Sequence, residues 1–453
     1  FPKMVDQLGI VYTPVEVVDF IVHSVDDVLR NEFNRSLTDE NVHILDPFTG
    51  TGTFVTRLLQ NGLIKSEDLR RKYLGEIHAN EIVLLAYYIA AINIENAYHD
   101  LLPDAHGYQS FDGICLTDTF QLGEYKQGEH LISEFFPKNS ERVVAQQKTP
   151  LTVIIGNPPY SVGQKSANDN AQNLSYPKLE KRIIDTYAKN SSANLKKSLY
   201  DLYIKAFRWS SDRLDEKHGG VICFVSNGGW LDSNAHDGFR KQLEKEFNSI
   251  YVFNLRGHQR TSGELSKKEG GKIFGSGSRA RVAITLLVKN PKMTKNNGTI
   301  YYRDIGDYLS REEKLQIVKR YMSIANPEMG WEIIKPNKEG DWINHRNTSF
   351  DTLIPITPLK KFDINSHSFF VTNSLGLSSN RDVWVYNSSK REVIKNMTSM
   401  SNFYNEQVDN VQKSLEQNPK LDVKSIYDCN PEKISWSSSL VCDVARGYYA
   451  TFN

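Results

Sequence analysis

A chain of 453 residues exceeds the roughly 100–200 residues of a typical domain, so two or more cores are expected. With 39% hydrophobic residues and no stretch of about 18 uncharged apolar residues, a membrane protein is not expected, and a net charge of +1 means that any surface for a polyanion must be a local one. Cys115, Cys223, Cys429 and Cys442 lie far apart with no Cys-x-x-Cys spacing, which argues against a zinc site or a disulfide framework and fits a reducing cytoplasm.

The opening Phe1-Pro2-Lys3-Met4 has no basic-then-apolar signal pattern and reads as the start of a piece of something longer. From Thr13-Pro14 onward, Val18, Ile21, Val22, Val25, Val28 and Leu29 recur at helical spacing, predicting an amphipathic helix. Val42 to Leu45 reads as a short buried strand, a glycine-rich turn follows, and Phe54 to Leu59 starts a helix that Gly62 closes. Further strands are expected at Gly75 to Ala79, Val153 to Ile155, Gly220 to Ser226, Ser249 to Leu255 and Val282 to Lys289, with a helix at Leu84 to Asn96. Strands alternating with helices predict an open, mostly parallel α/β sheet of Rossmann-like type with helices on both faces and a ligand crevice at the carboxyl ends of its strands. The polar stretch 291–298 predicts a linker, dividing the chain into a domain over 1–290 and a second, mixed α/β domain over 299–453.

The turn Asp46-Pro47-Phe48-Thr49-Gly50-Thr51-Gly52 puts an acid at a strand end, followed by two glycines that let the backbone approach a ligand. No Gly-Lys-Ser/Thr follows, which disfavours a triphosphate, and the third glycine of a dinucleotide fingerprint is missing. S-adenosylmethionine fits better: Asp46 can pair with its ammonium, Glu81 of Glu81-Ile82 can accept from both ribose hydroxyls, and Asp118 of Asp118-Thr119-Phe120 can accept from its adenine amine. An ordinary tight turn is the other reading of these residues.

Asn157-Pro158-Pro159-Tyr160, at the end of an apolar strand, suits an amine on an aromatic ring. The Asn157 side-chain carbonyl and the Pro158 carbonyl can accept from the amine and hold its lone pair toward a sulfonium methyl, Tyr160 can stack on the base, and the prolines stiffen the loop.

Together these motifs resemble the amino-methyltransferases of restriction–modification systems, over Gly9 to about Asn290. Tyr12-Thr13-Pro14 looks like that family's N-terminal cofactor segment, and the order of the motifs resembles the gamma-type N6-adenine enzymes. The stretch Asn254-Leu255-Arg256-Gly257 to Arg260-Thr261-Ser262-Gly263-Glu264, with Lys272-Ile273-Phe274-Gly275-Ser276-Gly277-Ser278-Arg279, looks closer still to the single-polypeptide Type ISP enzymes. That resemblance implies a methyltransferase followed by a target-recognition domain, acting on double-stranded DNA by flipping an adenine, with a nuclease and an ATP-driven translocase upstream in the same polypeptide. Phe274 resembles a second aromatic that clamps the extruded base.

By composition alone, Arg256, His258, Arg260, Lys267, Lys268, Lys272, Arg279 and Arg281 form a basic run opposed only by Glu264 and Glu269, which suits a phosphate backbone; a solvated loop is the alternative. In the C-terminal part, Trp342-Ile343-Asn344-His345-Arg346 and Ser378-Ser379-Asn380-Arg381-Asp382 carry residue types that can read base edges, Asn380 and Arg381 foremost. Pro103-Asp104 with Glu124-Tyr125-Lys126 imitates a magnesium-nuclease motif but falls where Asp118 is needed, and no metal site is expected. Two rival readings are a DNA-specificity module whose core holds cofactor without catalysis, and a methyltransferase of protein glutamine amides.

Overall fold

The computed structural model describes residues 12–102, 107–124, 136–160, 175–193, 195–274, 279–293, 297–347, 349, 352–358, 367–371, 381–418, 421–423, 426–430 and 432–451. Nine strands form one sheet: β1 (His43–Asp46), β2 (Ile77–Glu81), β3 (Ile114–Leu116), β4 (Leu151–Gly156), β5 (Gly220–Asn227), β6 (Ser249–Arg256), β7 (Val282–Lys289), β8 (Thr299–Asp304) and β9 (Glu332–Ile334). Their order is β3-β2-β1-β4-β5-β7-β6-β8-β9. All neighbours from β3 to β5 are parallel, β7 runs antiparallel between β5 and β6, β8 is parallel to β6, and β9 is antiparallel at the edge. The mostly parallel α/β architecture expected from the sequence is the one found. The strand order reverses between β1 and β4, which makes the carboxyl ends of those two strands the switch point where such sheets bind ligands.

Strands covered on both faces need near-continuous apolar runs, and β4 supplies Val153, Ile154 and Ile155, all buried. Alternate residues point to opposite layers. Ile44, Val153, Val221 and Cys223 join the core that holds Val18, Ile21 and Val25 of α1 (Val15–Val28), Val55 and Leu58 of α2 (Thr53–Gln60), and Ala90 of α3 (Leu84–Leu101). Leu45, Ile154, Ile222 and Phe224 join the other, with Phe207 of α4 (Leu202–Arg213) and Phe239 of α5 (Asp237–Glu246).

The expected boundary at 291–298 is not where the structure divides. The stretch lies between β7 and β8 of the same sheet, and its flanks are pinned: the Asn290 amide donates to the Asn248 side chain at 2.6 Å, its Nδ2 donates to the Glu32 carbonyl at 2.8 Å, and the Gly298 amide donates to the Glu244 carbonyl at 2.7 Å. Residues 294–296 lie outside the described residues. Two compact units result, Phe1–Gly163 with Ser175–Arg346, and Gln164–Leu174 with Asn347–Asn453. Trp342 consequently belongs to the first unit, buried against Trp230 with its indole N–H donating to Glu244 at 2.8 Å, and Arg346 is tied to Asp341 at 2.9 Å. Trp342 and Arg346 thus anchor this segment to the sheet unit, while Asn344 and His345 between them are exposed.

Helix α6 (Arg311–Tyr321) still belongs to the first unit, and the second unit centres on two later helices. The long helix α7 (Lys390–Gln417) presents Met400, Tyr404, Val408 and Val411 along one stripe to Ile434 and to Val444 of α8 (Ser438–Ala445). Its Tyr404 hydroxyl donates to the Tyr448 carbonyl at 2.9 Å, and the Gln412 amide to the Val444 carbonyl at 2.9 Å, so polar groups entering this core are satisfied.

Candidate functional site

The glycine turn leaves β1 and enters α2 as expected. Gly52 has φ +89°, and a Cβ there would come within 3.2 Å of the Ala90 backbone and 3.3 Å of Ile94, so the turn is set by how closely it packs on α3. Gly50 also has a positive φ, +57°, but a Cβ there would meet nothing within 4 Å. Its requirement is conformational, and the space above it is open for a ligand. Gly52→Ala is therefore expected to cost about 2 kcal/mol or more of stability through combined strain and overpacking, and Gly50→Ala about 1 kcal/mol through conformation alone. Thermal unfolding of the two variants checks the order.

Three carboxylates stand at or just after the ends of three adjacent strands, and two of them, Asp46 and Glu81, meet this turn. Asp46, at the end of β1, is buried, and its Oδ1 accepts from the Phe48 amide at 3.1 Å. Its Oδ2 is buried with no partner among the described residues. Burial pushes its pKa up to about 8, against the pull of the Phe48 amide and with a contribution from the nearby Glu81 charge. Glu81, ending β2, accepts from the Gly50 amide at 2.8 Å and from the Val83 amide at 2.7 Å, so it ties the glycine turn to the start of α3; burial raises its pKa too. Asp118, following β3, accepts from the Phe120 amide at 3.0 Å and from the Tyr176 hydroxyl at 2.9 Å, with burial again the main reason its pKa is raised.

The neighbours predicted with them take supporting positions. Thr49 donates through its hydroxyl to the Asp46 carbonyl at 3.0 Å, and Thr119 donates to the Pro47 carbonyl at 2.7 Å. Phe120 is buried against Phe48 and Tyr176, whereas Ile82 stands exposed at the end of β2.

Asn157 follows β4. Its Nδ2 donates to the Thr13 hydroxyl at 3.1 Å and its Oδ1 accepts from the Tyr160 hydroxyl at 2.6 Å, so the segment Tyr12-Thr13-Pro14, distant in sequence, is brought to the same strand end. Tyr12 itself is exposed and Pro14 begins α1. The Tyr160 hydroxyl also donates to the Val225 carbonyl at 3.2 Å, and burial together with the Asp201 charge raises its pKa. The Tyr160 ring lies 6.2 Å from the Phe274 ring at 46° and 6.3 Å from the Tyr203 ring at 89°. Both separations fall within the range of interacting aromatic pairs. Phe274 thus lies beside Tyr160 and is itself buried in the core of the sheet unit.

The basic run is partly neutralised by acids remote in sequence. Arg256 pairs with Asp304 at 2.7 Å and with Asp307, and Arg281 with Asp232 at 2.9 Å and Glu269 at 3.3 Å. Arg260 and Arg279 are exposed, and Lys272 is half-buried. The loop is mounted on α6, where the buried Lys314 ammonium donates to the Glu269 and Gly271 carbonyls, each at 2.7 Å. Arg381 donates to the Ser435 carbonyl at 3.0 Å within the second unit, and Asn380 lies outside the described residues, as do Asp104, Tyr125 and Lys126. Glu124 accepts from the Lys178 and Leu179 amides at 2.9 Å, a helix-capping role, and no cluster of three or more metal-ligating side chains occurs among the described residues.

Three residues of this site escaped the sequence reading. Tyr176 holds Asp118, Asn80 accepts from the Thr49 amide at 3.0 Å and donates to Thr119 at 3.2 Å, and Gly156 lies so close to Asp46 that a Cβ would sit 2.8 Å from its Oδ1. Only Gly156 carried a local signal, as a glycine immediately before Asn157-Pro158-Pro159-Tyr160.

Residues 76–259 match the family model of the Eco57I restriction-modification methylase, and residues 368–452 that of the Type ISP C-terminal specificity domain. The chain belongs to the Type ISP restriction-modification enzymes. Among solved structures it is similar to a nuclease-deletion mutant of the Type ISP restriction-modification enzyme LlaGI in complex with a DNA substrate mimic, at 48% identity and a TM-score of 0.80 over 98% of this chain and 35% of that one. It is also similar to the ATP-dependent Type ISP enzyme LlaBIII bound to DNA (42% identity, TM-score 0.80, 98% of this chain and 28% of that one). The DrdV–DNA complex matches at 33% identity and a TM-score of 0.78, over 99% of this chain and 42% of that one. The comparison with curated proteins gives no match. This Type ISP chain therefore spans well under half the length of these relatives, and holds a modification-methylase region followed by a specificity domain. No helix among its described residues is long and apolar enough to cross a membrane.

Proposed function

We propose that this chain transfers a methyl group from S-adenosylmethionine to N6 of adenine in a specific sequence of double-stranded DNA. What carries the reading is the pairing of two features at the switch point: a buried carboxylate oxygen of Asp46 that has no partner among the described residues, and, on the neighbouring strand, Asn157 directly after the glycine that packs on Asp46. An orphaned buried acid is costly unless a cation comes to it, and the cofactor's ammonium is such a cation. The open space over Gly50, the Glu81 carboxylate and the exposed Ile82 suit the rest of a nucleoside, with Thr49, Pro47, Thr119 and Phe120 fixing the walls. When bound, the cofactor supplies an electrophilic sulfonium methyl.

The chain's own part is orientation. Asn157 Oδ1, which accepts from Tyr160, and the Pro158 carbonyl are the acceptors for the two amine hydrogens, so the nitrogen lone pair is aimed by two acceptors on a proline-stiffened loop. An adenine amine inside a duplex is stacked and paired, so the base has to be flipped by about 180° before these acceptors reach it. The flipped base would stack on Tyr160, with Phe274 beside it. Arg260, Lys272 and Arg279 are the groups offered to the phosphate backbone, with Asn380 and Arg381 reading sequence from the specificity domain, in a cytoplasmic enzyme whose nuclease and translocase domains precede it in the polypeptide.

Transfer of labelled methyl groups to mixed-sequence duplex DNA, followed by nucleoside analysis, tests the reading: N6-methyladenine is expected, and tight cofactor and DNA binding without product would overturn it. Arg260→Ala and Arg279→Ala are each expected to weaken binding to all duplexes alike and to reduce the slope of log affinity against log salt by about one. Arg256→Ala, whose guanidinium already has Asp304 and Asp307, should leave that slope nearly unchanged and instead lower the melting temperature.

A further inference from the structure

The first three turns of helix α3 are almost wholly apolar, Asn93 being the one polar side chain there apart from the tyrosine hydroxyls. From Leu84 to Ile94 it contains no charged residue, and the first is Glu95. A helix of that kind is normally buried all round. Here the inner face, packed on the sheet and on Gly52, carries Ala86, Ala90, Ile94, Ala97 and Tyr98. Four large apolar residues of the first three turns face outward: Leu85, Tyr88, Ile89 and Ile92 are 56%, 53%, 39% and 56% exposed, at positions i, i+3, i+4 and i+7 of one continuous stripe. A helix that ends at solvent has the opposite arrangement, and an uninterrupted stripe of this type on a soluble unit marks an interface.

The comparisons say what is available to cover it. The matched region makes up 35% of LlaGI and 28% of LlaBIII, and the specificity domain is the C-terminal one of the family, so most of those polypeptides lies ahead of the methylase. We propose that the outer face of α3 is the seat on which a preceding domain of the full-length polypeptide docks, through an apolar surface of its own. The proposal rests on membership of the Type ISP family and goes beyond it in naming the surface. An interface within one chain needs no charge steering, because the tether already supplies a high effective concentration, and the absence of charge along three turns of α3 agrees with that. Duplex DNA, with its phosphates, is a poor occupant for the same stripe.

The test uses the polypeptide as its gene encodes it. Photoreactive benzoylphenylalanine is placed at Leu85 or Ile92, and as a control at the exposed Arg320 of α6, and the irradiated protein is mapped by mass spectrometry at high dilution. Cross-links from positions 85 and 92 to residues ahead of the methylase in the same chain, at least tenfold above those from 320, are expected. Cross-links only to a second copy, only to added duplex, or none above the control would overturn the proposal, as would a gene whose product begins at the methylase. Methyl transfer by the same preparation is read separately, so a failed cross-link and a failed methylase assignment cannot be confused.

Discussion

Replacing Asn157 by alanine is expected to slow methyl transfer by about 10²–10³-fold while changing cofactor affinity by less than about threefold. The magnitude is that of removing one acceptor or donor placed for the transition state. Misaiming the amine by about 1 Å costs a comparable factor, because the reaction depends on alignment of lone pair and methyl more than on a strong base. The structure also offers the alternative that would sink this division of roles. Asn157 holds Thr13 through Nδ2 and Tyr160 through Oδ1, so alanine removes two tertiary hydrogen bonds worth about 1 kcal/mol each. If the residue serves chiefly to hold the Tyr12-Thr13-Pro14 segment, cofactor affinity and rate will fall together, and Thr13→Val will reproduce the loss by removing the acceptor for Nδ2. If it aims the amine, Thr13→Val will be mild and Asn157→Ala severe. Single-turnover rates at saturating cofactor, measured beside the cofactor dissociation constant, separate the two.

The parts of this site that could be read from sequence are those whose partners are close in the chain. The acid, the two glycines and the following helix lie within one strand–turn–helix unit, and a tight turn dictates its own residues. Asn157-Pro158-Pro159-Tyr160 announced itself equally, since a rigid polar loop after a buried strand has few structural reasons to exist. What could not be read are the contacts made across the fold. The cations of Arg256 and Arg281 looked available because counting charges within the run found only two acids, whereas Asp304, Asp307 and Asp232 arrive from other strands and loops. Residues 291–298 looked like a linker because a crossover over one strand needs the same turn-forming residues as a connection between domains. β8 and β9 lie at the edge of the sheet, where a strand is covered on fewer sides and its apolar pattern thins: β9 has three residues, none of them buried.

Cofactor affinity is expected to rise with pH between about 6 and 8 and to level off above, and binding is expected to release a proton in that range. The cause is Asp46. Its folded-state pKa is pushed up to about 8 by burial, so near neutrality the free protein holds this carboxyl largely protonated. A cation brought to Oδ2 favours the ionised form, so binding below pH 8 must first expel the proton, and the cost vanishes once the solution has already removed it. The same shift acts on folding with a definite sign. A carboxyl that titrates near 3.8 when unfolded and near 8 when folded makes the folded state bind the extra proton across that interval, so stability falls as pH rises through it. Asp46→Asn removes the titration. The variant is expected to melt higher than the parent at pH 8, by a margin that shrinks toward pH 5, yet to bind S-adenosylmethionine about 10–100-fold more weakly for want of the charged acceptor. Calorimetry in buffers of different ionisation enthalpy counts the proton directly. A variant that gained no stability at pH 8 would mean that Asp46 is already ionised in the free protein, and one that bound S-adenosylmethionine as tightly as the parent would mean that the cation Asp46 awaits is not the cofactor's.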